Sequence, residues 1–219
     1  QQAEQSAKSS PLLDGLVVLA TKPAGSKTPV TPSISTLHFL DLQTGDRLQQ
    51  FKVNTEIYSL AFDQHGLELA LGTDHELLLY ARKSGGKSSW QQDTRFTFSR
   101  DLVQEKRAIK SVLFWQPNNT PFILSAGHDN RIRAWNLDTG QQEFELIGHQ
   151  SMVQSISLNP ATGKLASASN DRMILVWDLD QRKIITTFDE HQAELTQVRF
   201  LENGQKLLSV SWDGYLIVR

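Results

Sequence analysis

SASNDRMILVWD, residues 167–178, is the phrase from which the fold of this chain can be read. It has an upstream counterpart, SAGHDNRIRAWN (125–136), and a downstream one, SVSWDGYLIVR (209–219), at equal offsets. Each holds a run of small residues, then an Asp (Asp129, Asp171 or Asp213), then a hydrophobic stretch, which in the first two ends in Trp-Asn or Trp-Asp. A fixed period of roughly 40 residues marks one supersecondary unit used repeatedly, stacked so that neighbours bury the face no unit buries alone.

Working outward, each unit resolves into short β-rich runs separated by turn residues, with no helical periodicity. IYSLAF (57–62), IKSVLF (109–114), VQSISL (153–158) and LTQVRF (195–200) carry apolar residues at their first, fourth and sixth positions and suit the innermost strand of a sheet. Turns rich in Gly, Pro and Asn follow them. Second strands are LALGTD, ILSAGHD, LASASND and LLSVSWD, ending at Asp74, Asp129, Asp171 and Asp213; their small residues let adjacent sheets approach closely. Third strands are ELLLYA, RIRAWN, MILVWD and YLIVR, and fourth strands are expected at TRFTF (94–98), EFELI (143–147) and KIITTF (183–188). Upstream, TLHFLDLQTG (36–45) aligns without a gap on RIRAWNLDTG (131–140), placing Leu40 at the Trp position. That predicts a degraded copy, with residues 16–21 as its second strand, 47–53 as its outermost strand and 22–33 as a loop, and with no innermost strand before Leu16.

This pattern resembles the WD40 repeat, one four-stranded blade of a β-propeller. The expected fold is therefore all-β: a polar tail at residues 1–15, then propeller at 16–219, with a partial blade at 16–53 and blades starting near 57, 109, 153 and 195. Propellers usually close into a ring of four to eight blades, leaving no free sheet edge. Here the first blade lacks an inner strand and the fifth an outer one, so an incomplete arc of about five blades is expected, completed by further chain or by a partner. A start at Gln1 instead of Met fits a processed product or a segment of a longer protein.

The resemblance also implies a hydrogen-bonded set of His, Ser or Thr, Asp and Trp in each blade. The fourth blade matches fully with His149, Ser167, Asp171 and Trp177. The fifth repeats His191, Ser209 and Asp213 at the repeat offset but has Arg219 for Trp. The third keeps Ser125, Asp129 and Trp135, with Glu105 near the His position, and the second keeps Asp74, with Ala70 and Tyr80 at the Ser and Trp positions. A Ser-His-Asp trio invites comparison with a hydrolase triad. Its recurrence at the repeat period together with Trp assigns it a structural role instead, and no catalytic residue is expected.

Bulk composition excludes several classes. With 22 basic and 24 acidic residues the net charge is only −2, which gives no reason to expect nucleic acid or an anionic membrane as the main partner. The absence of Cys rules out disulfides and thiolate metal sites. No apolar run approaches the length, about 18 residues, that a membrane helix needs. The six histidines show no metal-ligand spacing, and Gly85-Gly86 lacks the context of a phosphate-binding loop and suits a hairpin tip. The basic stretch 99–110, with Arg100, Lys106, Arg107 and Lys110, has no interleaved aromatics and suits a solvated connection better than a single-stranded nucleic-acid site. That connection, from Tyr80 to Ile109, is longer by more than half than its counterpart from Trp135 to Val153.

The resemblance puts the loops entering the first strands and those between second and third strands on one rim, where related folds hold a peptide or protein. The residue before each turn Asp (Thr73, His128, Asn170, Trp212) and before each first strand (Glu56, Ala108, Met152, Glu194) is expected there. Trp212 and Met152 stand out, since exposed Trp and Met are enriched at interfaces. The expected function is a non-catalytic scaffold or sensing module without cofactor. Its repeat texture is similar to that of arrays found in bacterial multidomain proteins, and a cytoplasmic location follows the family, with an exported mature protein as the alternative. An RNA-binding propeller is the alternative, an enzymatic propeller a weaker one.

Overall fold

A computed structural model describes residues 16–21, 34–41, 43–82, 90–97 and 108–219, with 16–21 and 90–97 described through their backbone. The tail at 1–15, the loop at 22–33, the Gly85-Gly86 tip, and Glu105 with the rest of the stretch 99–107 lie outside the described residues. Strands follow one another in five antiparallel sheets. The first holds β1 (Leu16–Thr21), β2 (Ser35–Asp41) and β3 (Arg47–Val53); the second β4 (Ile57–Phe62), β5 (Glu68–Thr73), β6 (Leu77–Arg82) and β7 (Trp90–Thr97). The third comprises β8 (Ile109–Trp115), β9 (Phe122–Gly127), β10 (Arg131–Asn136) and β11 (Gln141–Ile147). The fourth comprises β12 (Val153–Asn159), β13 (Lys164–Ser169), β14 (Ile174–Asp178) and β15 (Lys183–Phe188), and the fifth β16 (Leu195–Leu201), β17 (Lys206–Ser211) and β18 (Leu216–Val218).

Within every sheet, order in space equals order in the chain, as short turns between sequential strands dictate. The innermost strands β4, β8, β12 and β16 pack side by side, and each sheet lays its face on the next. Four apolar clusters fill the successive interfaces. Leu37 and Phe39 meet Leu69 and Leu71 between the first two sheets, and Trp115 and Leu124 meet Leu165 and Trp177 between the third and fourth. Ala70 and Leu79 meet Val112 and Ile123, and Ala166 and Val176 meet Val198 and Leu207, in the other two. The arrangement is a β-propeller that is not closed: among the described residues the packed strand pairs run from each sheet to its neighbour in sequence.

The apolar spacing of the innermost strands has a specific cause. Register slips by one residue after Ile57, Ile109, Val153 and Leu195, where a β-bulge admits Tyr58, Lys110, Gln154 and Thr196. One extra residue inverts the alternation of faces. First and fourth positions therefore fall on the same side, so Val153 and Ile156 are both buried, as are Leu195 and Val198. Serines next to the bulges tie neighbouring sheets: Ser111 Oγ accepts from Ile156 N–H at 3.2 Å and Ser155 Oγ from Val198 N–H at 3.3 Å.

The first sheet repeats the register of the third. β2 and β3 slip between Phe39 and Leu40 as β10 and β11 slip between Ala134 and Trp135. Asp41 Oδ1 accepts from Gln43 and Thr44 N–H just as Asn136 Oδ1 accepts from Asp138 and Thr139 N–H. The fourth strand of the second sheet begins at Trp90, ahead of the expected TRFTF. Small residues are demanded by space: a Cβ on Gly72 in β5 would meet the Ile109 carbonyl oxygen of the next sheet, and one on Gly127 would collide with the Ala108 carbonyl oxygen within the third sheet.

Candidate functional site

One end of the sheets carries the turns between second and third strands and the chain entering each first strand. In the fourth sheet these are fastened by a chain of hydrogen bonds. Asp171 Oδ2 lies 2.8 Å from His149 Nδ1, His149 Nε2 lies 2.7 Å from Ser167 Oγ, and Trp177 Nε1–H donates to Ser167 Oγ at 2.8 Å. A carboxylate only accepts, so Nδ1 carries the hydrogen; in a neutral ring Nε2 then accepts from the Ser167 hydroxyl. Asp171 also accepts from the backbone N–H groups of Gln150 and Met173. Burial disfavours its charge, but the His149 hydrogen bond and those two amides outweigh burial and hold its carboxyl below the usual range. Ser167 is fully buried.

The fifth sheet repeats the geometry. Asp213 Oδ2 lies 2.8 Å from His191 Nδ1, and His191 Nε2 lies 2.9 Å from Ser209 Oγ. Burial opposes ionisation of Asp213, yet the amides of Tyr215 and Gln192 and the His191 bond bring its pKa down to about 2. Where Trp177 has close company from Gly148, whose Cβ would approach the indole to 2.8 Å, the fifth sheet exchanges both residues. Arg219 stands at the Trp position, backbone-paired with Leu207, and forms an ion pair with Glu190 while its guanidinium lies 4.5 Å from the Phe188 ring centroid.

The remaining sheets solve the same problem with other residues. In the third, Trp135 Nε1–H donates to Ser125 Oγ at 2.8 Å, and Asp129 pairs with the nearly buried Arg133. In the second, Thr55 Oγ1–H donates to Asp74. Here the sequence alignment is corrected by one residue. Thr73 pairs with Ile57 as Ser169 pairs with Val153, so Leu71, not Ala70, occupies the Ser167 position. The turn after β5 is one residue shorter: Thr73 N–H bonds the Glu76 carbonyl where Ser169 N–H bonds that of Met173. Asp74 therefore takes the place of His128, Asn170 and Trp212. Its N–H bonds the Glu56 carbonyl, as theirs bond those of Ala108, Met152 and Glu194.

That shift accounts for one rim expectation that fails. Thr73 is fully buried, its hydroxyl donating to the Glu76 carbonyl and accepting from Glu76 N–H, and does not project to solvent. Ala108 is buried too and offers the rim only its backbone. His128, Trp212 and Glu194 are exposed; Asn170, Met152 and Glu56 are half-buried. Among the described residues Trp212 is the most open large apolar side chain, at 75%.

Sequence reasoning missed the bulge residues, which join this rim. Lys110 Nζ lies 3.4 Å from the Tyr58 ring centroid, and Gln154 Nε2–H donates to Asn170 Oδ1 at 2.9 Å. Partial burial, then the Lys110 charge, lower the pKa of His128 against the pull of Asp129. The signal was in the chain, as the second residue of each first, fourth, sixth pattern, but an unbulged strand would have aimed it at the core. Among the described residues no group of three or more His, Asp or Glu could hold a metal ion, and no helix is long and apolar enough to cross a membrane.

Comparison with known proteins agrees with this architecture. Residues 140–178 and 182–218 match the family described as "WD domain, G-beta repeat". The WD repeat-containing protein AAC3 of Dictyostelium discoideum is 29% identical over 140 residues, 54% of this chain and 29% of that protein. A guanine nucleotide-binding protein subunit beta of Zea mays is 29% identical over 135 residues, covering 58% and 35%. The small ribosomal subunit protein RACK1 of Caenorhabditis elegans is 32% identical over 79 residues, covering 36% and 24%. The chain thus matches about a third or less of the length of these relatives.

Proposed function

Since the chain belongs to the WD40-repeat family, we propose that it is a non-catalytic propeller module that holds a protein or peptide partner on the rim formed by Tyr58, Lys110, His128, Met152, Asn170, Glu194 and Trp212. The observation that carries this reading is Trp212. It is 75% exposed, yet its backbone is fixed between the Glu194 carbonyl and the Asp213–His191 anchor. A large side chain held ready at little further entropic cost is what hot spots share. A scaffold role and a cytoplasmic location belong to the same proposal. Glu56, Asp74 and Glu194 on the rim work against a phosphate backbone, which makes the RNA reading the weaker one.

The test is quantitative capture of partners by the chain and by its Trp212→Ala and Lys110→Glu variants, with thermal melts to show that both variants stay folded. At least one specific partner should be retained by the parent and lost by Trp212→Ala. Equal retention by all three proteins would refute rim recognition. Loss of binding with steep salt dependence and with nucleic acid in the captured material would favour RNA instead.

A further inference from the structure

At the end of the sheets opposite that rim, the turns leaving the first strands of the second, third and fourth sheets converge around a groove with a volume of about 940 Å³. That is the size of a site for a small molecule or a few residues of peptide. Its floor is apolar, with Phe62, Phe114 and Leu158 partly buried and the edges of Trp115 and Phe122 beside them. Its charge has one sign: Asp63, Glu68 and Asp180 line it, and no Lys or Arg does so among the described residues. Asp63 is held in place by its own turn, accepting from the N–H groups of His65, Leu67 and Glu68, so its charge has a fixed position.

We propose that this groove takes an arginine-bearing segment of a partner protein, independently of the rim. Carboxylates around an aromatic floor attract a cation and repel phosphate or acidic peptide. Arginine suits the site better than lysine because its planar guanidinium both forks onto carboxylates and stacks on rings. The second contact is made elsewhere in the same molecule, where the Arg182 guanidinium lies 4.5 Å from the Phe144 ring centroid.

Fluorescein-labelled hexa-arginine, hexa-lysine and hexa-glutamate titrated into the full chain by anisotropy, at about 0.15 M ionic strength, test this. Hexa-arginine should bind more tightly than hexa-lysine, and hexa-glutamate should not bind. Asp180→Lys should weaken hexa-arginine about fivefold, the upper range for an exposed ion pair. Thr162→Trp, at an exposed position on the groove wall, should abolish binding, and Trp212→Ala should leave it unchanged. Thermal melts check that each variant is folded. No binding of hexa-arginine, equal binding of the two cationic peptides, indifference to Asp180→Lys and Thr162→Trp, or loss with Trp212→Ala would each overturn the proposal.

Discussion

Ser167 Oγ sits between His149, in the chain entering β12, and Trp177 in β14, which makes a double-mutant cycle the sharpest test of the hydrogen-bonded chain. His149→Ala removes the bond to Asp171 at 2.8 Å and the bond to Ser167 at 2.7 Å from a site only 6% exposed. One of these is charge-assisted, so the loss should be roughly 3 kcal/mol. Trp177→Phe keeps an aromatic ring but removes the indole donor to Ser167, for about 1–2 kcal/mol. Bonds that share an atom polarise one another, and each single substitution forfeits the shared part. The double variant should therefore lose about 1 kcal/mol less than the sum of the singles. His191 shares no partner with Trp177, so His191→Ala combined with Trp177→Phe should be additive within about 0.5 kcal/mol. Urea unfolding at equilibrium, followed by circular dichroism, gives all the values. Additivity in the His149–Trp177 cycle, or the same coupling in the His191 control, would refute a connected chain through Ser167.

Three further outcomes follow from the same geometry. Asp171 and Asp213 have folded pKa values below the ordinary 3.8, about 2 for Asp213, so the stability they contribute is complete above pH 3.8 and is lost as pH falls toward 2. The urea midpoint should fall across that window and fall less in Asp213→Asn; equal slopes would contradict the linkage. Gly127→Ala should destabilise by about 2–3 kcal/mol, read as a lower thermal midpoint, because the Ala108 carbonyl is backbone and cannot yield. An unchanged midpoint would mean that the end of β9 can move away from the chain entering β8. Arg133→Ala should lose about 3–5 kcal/mol by leaving Asp129 buried without its cation; a loss under about 1 kcal/mol in urea unfolding would show that the pair stabilises nothing.

Much of this was legible in the chain because the repeat acts as its own alignment. The gapless match of 36–45 on 131–140 put Leu40 at the Trp135 position, where the two sheets share a register slip, and the constant offset between repeats put His191, Ser209 and Asp213 at the positions of His149, Ser167 and Asp171. Legibility failed where the period broke. A turn one residue shorter moved Asp74 to the rim and Thr73 into the interior, and nothing local distinguishes LALGTD read in one register from the other. Compensating pairs were also invisible: Arg133 for a missing His, and Glu190 with Arg219 for Gly148 with Trp177, join residues that meet only across a turn or between strands.

The sequence by itself determined the unit, because alternation of apolar residues, turn chemistry and a fixed period are local properties that any neighbour of the same kind satisfies. Tertiary structure alone decided which side chains reach solvent on each end. Exposure is set by register between strands and by the approach of the next sheet, and a single inserted or deleted residue reverses it. Hence Trp212 stands open while Thr73 is buried, and the acidic groove on the far end exists only where three sheets converge.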